Sequence, residues 1–182
     1  MSADPFRRYH SSVAFQIPEH LIIKTTDHWI VNHRVDSKLP GYLMIGSRRH
    51  TTQLDDLPPA ARAELGPLLA QVQRALREIL HAEHVYLGRY GHQRGTSIHF
   101  HAIPIYGWVK AAFDADPRYA VLKTFYTPGA GNSDYDGAEL TLYIWREFCE
   151  KNAPPKIQGP SISEVMQLLK EHSARQELIG LG

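Results

Sequence analysis

Residues 97–106 read SIHFHAIPIY, and their first half alternates polar with apolar side chains. Successive side chains of a β-strand point to opposite faces, so Ser97, His99, His101, Ile103 and Ile105 share one face while Ile98, Phe100 and Ala102 share the other. One face is core and the other begins with reactive groups. Same-face neighbours stand roughly 6.6 Å apart along a strand, so a single phosphate can touch both imidazoles. An ordinary imidazole, with a pKa near about 6.5, is largely neutral at neutral pH. One ring nitrogen can then attack phosphorus while the second ring donates a hydrogen bond to a phosphate oxygen, giving a phosphoramidate that water hydrolyses.

Upstream, HLIIKTT, HWIVNHRV and GYLMIGS between His20 and Ser47 alternate in the same way and read as three strands. The second and third are joined by DSKLPG, where Pro40 supplies a fixed φ and Gly41 a permissive one. Asp55, Asp56, Pro58 and Pro59 signal a helix start, after which Leu65, Leu68, Leu69, Val72, Leu76, Ile79 and Leu80 recur at helical steps. HVYLGRY adds a strand, joined to SIHFHAIPIY by GHQRG. Five strands and one long helix define an α+β core.

The expected organisation is an N-terminal arm (residues 1–14), a core (15–106) and a helical C-terminal extension (107–182). In the extension, helical patterns occur at WVKAAFDA, AELTLYIWREFCEKN and ISEVMQLLKEHSARQEL. Leu140, Tyr143, Ile144 and Phe148 would pack on the sheet or on a partner subunit.

The 182 residues carry 20 basic and 19 acidic side chains, a formal charge of +1, which argues against a polyanionic or membrane partner. Arg7-Arg8 and Arg48-Arg49 are too short for a nucleic-acid patch. A single cysteine, Cys149, excludes an internal disulfide, and no stretch has the apolar length of a membrane span. A cytoplasmic protein is expected.

His99 and His101 admit other readings: two strand histidines facing solvent or satisfying each other, a nucleotide-binding module without turnover, or a metal clamp. A metal needs further ligands, for which His50, His84 and His92 are candidates. IPIYGWVKAAF after His101 holds no carboxylate or histidine to complete a familiar pattern.

The sequence resembles the histidine triad family, whose signature alternates three histidines with apolar residues. It reads here Ser97-Ile98-His99-Phe100-His101-Ala102-Ile103, followed by Pro104. PGYLMI, GSRRH and LDDLPP match the upstream turn, basic segment and leucine-bearing turn, so the resemblance covers about residues 15–106. It implies a five-stranded antiparallel sheet with a nucleotide pocket, commonly in a homodimer. By the same resemblance His99 is the nucleophile, His101 binds and orients phosphate, and Gln93 contacts phosphate or the leaving group. Backbone donors at residues 95–97 would stabilise phosphate charge. The ribose-binding position falls on Arg34 in gapless alignment, although Asn32 suits ribose hydroxyls better by its amide chemistry.

Two departures stand out. Ser97 occupies the first histidine position and Tyr42 the position of a histidine that often follows proline-glycine; the resemblance implies that the two lie close together as one hydrogen-bonding network. Serine is no general acid near neutral pH, so leaving-group protonation passes to His50, His92, Arg89 or water, or is dispensed with when polyphosphate leaves with Mg²⁺. Arg89 also suits a phosphate and Tyr90 a base. Trp29 and Trp108 could line a base pocket, although such aromatics are commonly core. The expected function is hydrolysis or nucleotidyl transfer at the α-phosphorus of a dinucleoside polyphosphate or nucleoside phosphoramidate, with no required cofactor beyond Mg²⁺ carried by substrate. A nucleotide-binding regulator and a metal-dependent protein are the alternatives.

Overall fold

Strands β1 (Ile22–Thr25), β2 (Trp29–His33), β3 (Leu43–Ser47), β4 (His84–Gly88) and β5 (His99–Ile105) form one antiparallel sheet in the order β1-β2-β3-β5-β4. The computed structural model describes residues 17–90, 96–124 and 137–179. Register places Leu43 opposite Ala102, Met44 opposite His101 and Gly46 opposite His99. Because the side-chain period is two, this pairing sends both histidines to one face and Ala102 with Leu43 to the other.

The latter face is covered by α1 (Pro59–Leu80), which starts with proline, where an amide hydrogen is dispensable. Its stripe buries Ala61, Leu65, Leu68, Val72, Leu76 and Leu80 against Trp29, Val31, Leu43, Ile45 and Ala102. Leu69 and Ile79 pack at the edge of the same cluster. Trp29 lies wholly in this core, and its indole N–H donates to the Ala61 carbonyl at 3.0 Å. It is not a base-pocket wall. The helix ends at His81, in the left-handed conformation with φ 53°.

The β2–β3 turn brings Gly41 to φ +80°, as its proline-glycine pair predicts. A Cβ at Gly41 would stand 2.6 Å from Leu80 Cδ1 and 3.0 Å from the Tyr106 hydroxyl. Glycine therefore serves both the backbone angle and the close approach of α1.

The C-terminal extension is divided between the two faces. On the histidine side, α2 (Gly107–Ala115), a 3-10 segment (Pro117–Thr124) and α3 (Ala138–Ile144) bury Val109, Phe113, Leu140, Tyr143, Ile144 and Phe148 with Ile103 and Ile105. The helix expected to run on from α3 instead widens into a π-type turn over Trp145–Glu150. Glu147 is buried in that turn, where it accepts from Lys151 Nζ at 2.7 Å, Tyr119 Oη at 2.5 Å and Arg118 Nη2 at 3.2 Å. Burial opposes its charge, yet these partners hold the carboxyl below the usual carboxylate range. On the other side, α4 (Ile162–Ile179) adds Val165 and Leu169 to the α1 cluster. Among the described residues no helix is long and apolar enough to cross a membrane.

Candidate active site

His99 opens β5 and is partly exposed, with its Nδ1 2.8 Å from the Ser97 carbonyl oxygen. A carbonyl only accepts, so Nδ1 carries the proton and Nε2 keeps a free lone pair. Gly46 pairs with His99 from β3, and a Cβ there would meet no atom of the described residues within 4 Å.

His101, one pleat further along, is 3% exposed, and its ring centroid lies 5.2 Å from that of His99. Burial, with the neighbouring His99 and Arg34, pushes its pKa down to about 3, so it is neutral at physiological pH. Its Nδ1 is 3.0 Å from the Tyr42 hydroxyl, and its Nε2 is buried with no hydrogen-bond partner among the described residues. The rings of Tyr90 at 5.2 Å and Trp145 at 6.3 Å complete the surround.

Behind His101 stands a charged group that the β2–β3 turn carries inward. Arg34 donates from Nη1 to the Tyr42 oxygen at 2.9 Å, and from Nε and Nη2 to the Asp36 carboxylate at 2.5 and 2.9 Å. Its guanidinium also lies 4.6 Å from the Trp145 ring centroid. The turn is pinned by His33, whose Nδ1 and Nε2 lie 2.9 and 3.1 Å from the carbonyls of Arg34 and Leu39. Burial lowers the His33 pKa despite these contacts.

The sequence-derived site residues fall into two groups. His99 and His101 come together, and Asn32 lies in the same cross-strand row through Met44. Asn32 is buried and its amide donates to the His33 carbonyl at 2.7 Å. Arg34 adjoins the histidines, but its guanidinium serves Asp36 and Tyr42. Ser97, Arg89 and His50 gather instead around the segment after β3. Ser97 Oγ donates to the Arg49 carbonyl at 2.9 Å, Arg89 Nη2 donates to the Thr52 carbonyl at 2.5 Å, and His50 is exposed there. Gln93, His92 and the backbone of Gly95 lie outside the described residues.

The expectation of one network joining Ser97 and Tyr42 is corrected by the strand register. Tyr42 precedes Leu43, opposite the far half of β5, whereas Ser97 precedes His99 at its start. Their hydrogen-bond partners are different: His101 and Arg34 for Tyr42, and Arg49 and Thr51 for Ser97. Trp108 stacks on Tyr106 and meets Phe148 edge-on, away from the histidine pair. Sequence reasoning missed Asp36 and Trp145. Asp36 two residues beyond Arg34 was a visible ion-pair signal, whereas Trp145 in an amphipathic run carried none.

A family model described as HIT domain matches residues 14–107. The chain belongs to the histidine triad (HIT) domain family. Among solved structures, a zinc-bound histidine triad family protein from Mycobacterium smegmatis aligns with TM-score 0.50 and 16% identity over 87% of each chain. A uridylyltransferase aligns with TM-score 0.51 and 16% identity over 87% of this chain and 42% of its own. A Plasmodium falciparum diadenosine triphosphate hydrolase aligns with TM-score 0.46 and 13% identity over 51% of this chain and 66% of its own. The first two likenesses, at TM-scores of 0.50 and 0.51, establish the fold. A search of curated protein sequences found no match.

Proposed function

We propose that the protein is a nucleotide hydrolase or nucleotidyl transferase that cleaves at the α-phosphorus of a nucleotide derivative through a covalent nucleotidyl-His99. The observation that carries this reading is the 2.8 Å contact of His99 Nδ1 with the Ser97 carbonyl, which places the proton on Nδ1 and leaves the lone pair on Nε2, with the ring of neutral His101 5.2 Å away. In the first step that lone pair forms a bond to the α-phosphorus, and the bond from phosphorus to the leaving group breaks with its electron pair on the leaving group. In the second, water or an acceptor hydroxyl attacks phosphorus, the phosphorus–Nε2 bond breaks with its electron pair returning to Nε2, and the attacking oxygen releases its proton to solvent. His101 supplies a donor to the phosphate oxygens throughout.

The hydroxyl of Ser97 is turned to the Arg49 carbonyl, and serine is no acid in this pH range. The reading therefore favours a leaving group that departs as a stable anion, such as the polyphosphate of a dinucleoside polyphosphate bound to Mg²⁺, over the ammonia of a phosphoramidate. Asn32 is assigned to ribose and Gln93 to phosphate. A cytoplasmic homodimer completes the proposal, and light scattering would test its assembly.

The test is intact-mass spectrometry after rapid mixing with diadenosine polyphosphates and, separately, adenosine phosphoramidate. An adenylyl adduct that disappears in His99→Ala is expected, with diadenosine polyphosphate the better donor. Nucleotide binding without adduct or product from either would instead identify a nucleotide-binding regulator.

A further inference from the structure

Neutral imidazole has two tautomers, and only one of them can assist at phosphorus from where His101 sits. With the proton on Nε2 the ring offers a donor to phosphate oxygens; with the proton on Nδ1 it offers them a lone pair, which repels. The choice is made by what faces Nδ1. That group is Tyr42 Oη, 3.0 Å away and 1% exposed as a residue. A phenol can donate or accept, so Tyr42 alone does not decide.

Arg34 decides. Its guanidinium only donates, and Nη1 sends a hydrogen bond into the Tyr42 oxygen at 2.9 Å. The phenol oxygen is thereby engaged as an acceptor from one side, and its own proton has His101 Nδ1 as its partner on the other. The reverse arrangement, Nδ1–H donating to Tyr42, would leave the phenol proton buried with no acceptor among the described residues, at a cost of about 1–3 kcal/mol. Burial raises the Tyr42 pKa to about 12, so the phenol retains the proton it must give. Asp36 locks the guanidinium through Nε and Nη2, which leaves Nη1 for Tyr42.

We propose that Tyr42 is a positioning residue that holds His101 as the Nε2–H tautomer, with its hydrogen-bond direction set by Arg34, Asp36 and, across the guanidinium, Trp145 of the C-terminal extension. The buried Nε2 of His101, without a partner among the described residues, is the donor this arrangement prepares. No bond is made or broken by Tyr42. Its effect reaches the substrate through His101, and in this respect the proposal rests on the nucleotidyl-transfer reading above.

The experiment measures the tautomer directly, without substrate. Protein labelled with ¹⁵N-histidine is examined by long-range ¹H–¹⁵N correlation, with His101→Gln used to assign its signals. In the wild type His101 is expected to show a pyridine-like Nδ1 and a pyrrole-like Nε2 that persist to pH 5. Tyr42→Phe, which removes only the hydroxyl, is expected to shift both nitrogens toward the averaged values of a mixture. It should also slow single-turnover adenylylation of His99 about 10–100-fold, the range that follows loss of the hydrogen-bond partner orienting a metal-ligating histidine. A wild-type Nδ1–H tautomer overturns the proposal even if Tyr42→Phe fails to fold. Unchanged ¹⁵N shifts in Tyr42→Phe, or an altered tautomer with unchanged turnover, overturn it as well. A protein inactive on every nucleotide derivative would defeat the nucleotidyl-transfer reading while the tautomer measurement still stands.

Discussion

The indole of Trp145 covers the Arg34 guanidinium, with 4.6 Å between the charge centre and the ring centroid, and the same indole stacks on His101 at 6.3 Å and 30°. Through this one side chain the C-terminal extension becomes part of the histidine site. Trp145→Ala removes a cation–π contact and leaves part of a buried charge facing a gap. It is expected to destabilise the fold by about 1–3 kcal/mol in urea denaturation. A stability equal to that of the wild type would show that the contact is incidental.

The proposed mechanism gives the two histidines separable roles. His99→Ala is expected to abolish the covalent adduct while leaving nucleotide affinity within about threefold, because the ring acts by its lone pair; His101→Ala should weaken both binding and adduct formation. Calorimetric titration with adenosine monophosphate beside the mass measurement separates the two. An active His99→Ala protein would refute the assignment.

Space beside His99 depends on a missing side chain. Gly46 pairs with His99 across β3 and β5, and no atom of the described residues lies within 4 Å of the Cβ position. Gly46→Leu is therefore expected to fold, since strands tolerate the larger residue at an open position, but to obstruct the substrate and raise KM at least about tenfold. Circular dichroism and steady-state kinetics on the same preparation check this. An unchanged KM would move the substrate off this part of the sheet.

Acid should unfold the protein earlier than its carboxylates alone require. His101 has a folded pKa of about 3, and the His33 pKa is likewise lowered, chiefly by burial in both cases. The unfolded chain takes up these protons near about pH 6.5, and the folded one does so only at lower pH. For His101 the stability from keeping the ring neutral is therefore fully present above about pH 6.5 and falls as pH drops toward 3, with a slope that approaches about 1.4 kcal/mol per pH unit, and His33 adds in the same direction. Denaturation midpoints between pH 7.5 and 4.5 test it, and replacing His101 by Gln should flatten the curve.

At the β2–β3 turn, Gly41→Ala forces a left-handed angle on an L side chain and drives its Cβ to within 2.6 Å of Leu80. Left-handed strain alone costs about 1–2 kcal/mol, and the clash with α1 adds to it. Thermal unfolding should show a loss of at least that size. Because the turn carries Arg34 and Tyr42, the His101 ¹⁵N signals should broaden too.

Much of this architecture was legible in the chain. The period of two around SIHFHAIPIY and the leucine spacing of α1 are local patterns that each element repeats along its own length, so sheet, helix and the face shared by His99 and His101 follow from sequence. Pro40-Gly41 announced its turn for the same reason, since backbone preference belongs to the residue. The support of His101 has a different origin. Arg34, Asp36 and Tyr42 come from the β2–β3 connection and Trp145 from a π-type turn much later in the chain, and no periodicity links them to one another or to His101. Likewise, only the pairing of β3 with β5 separates Ser97 from Tyr42. Which nitrogen of His101 carries its proton depends on partners that approach in three dimensions, so tertiary structure alone decides it.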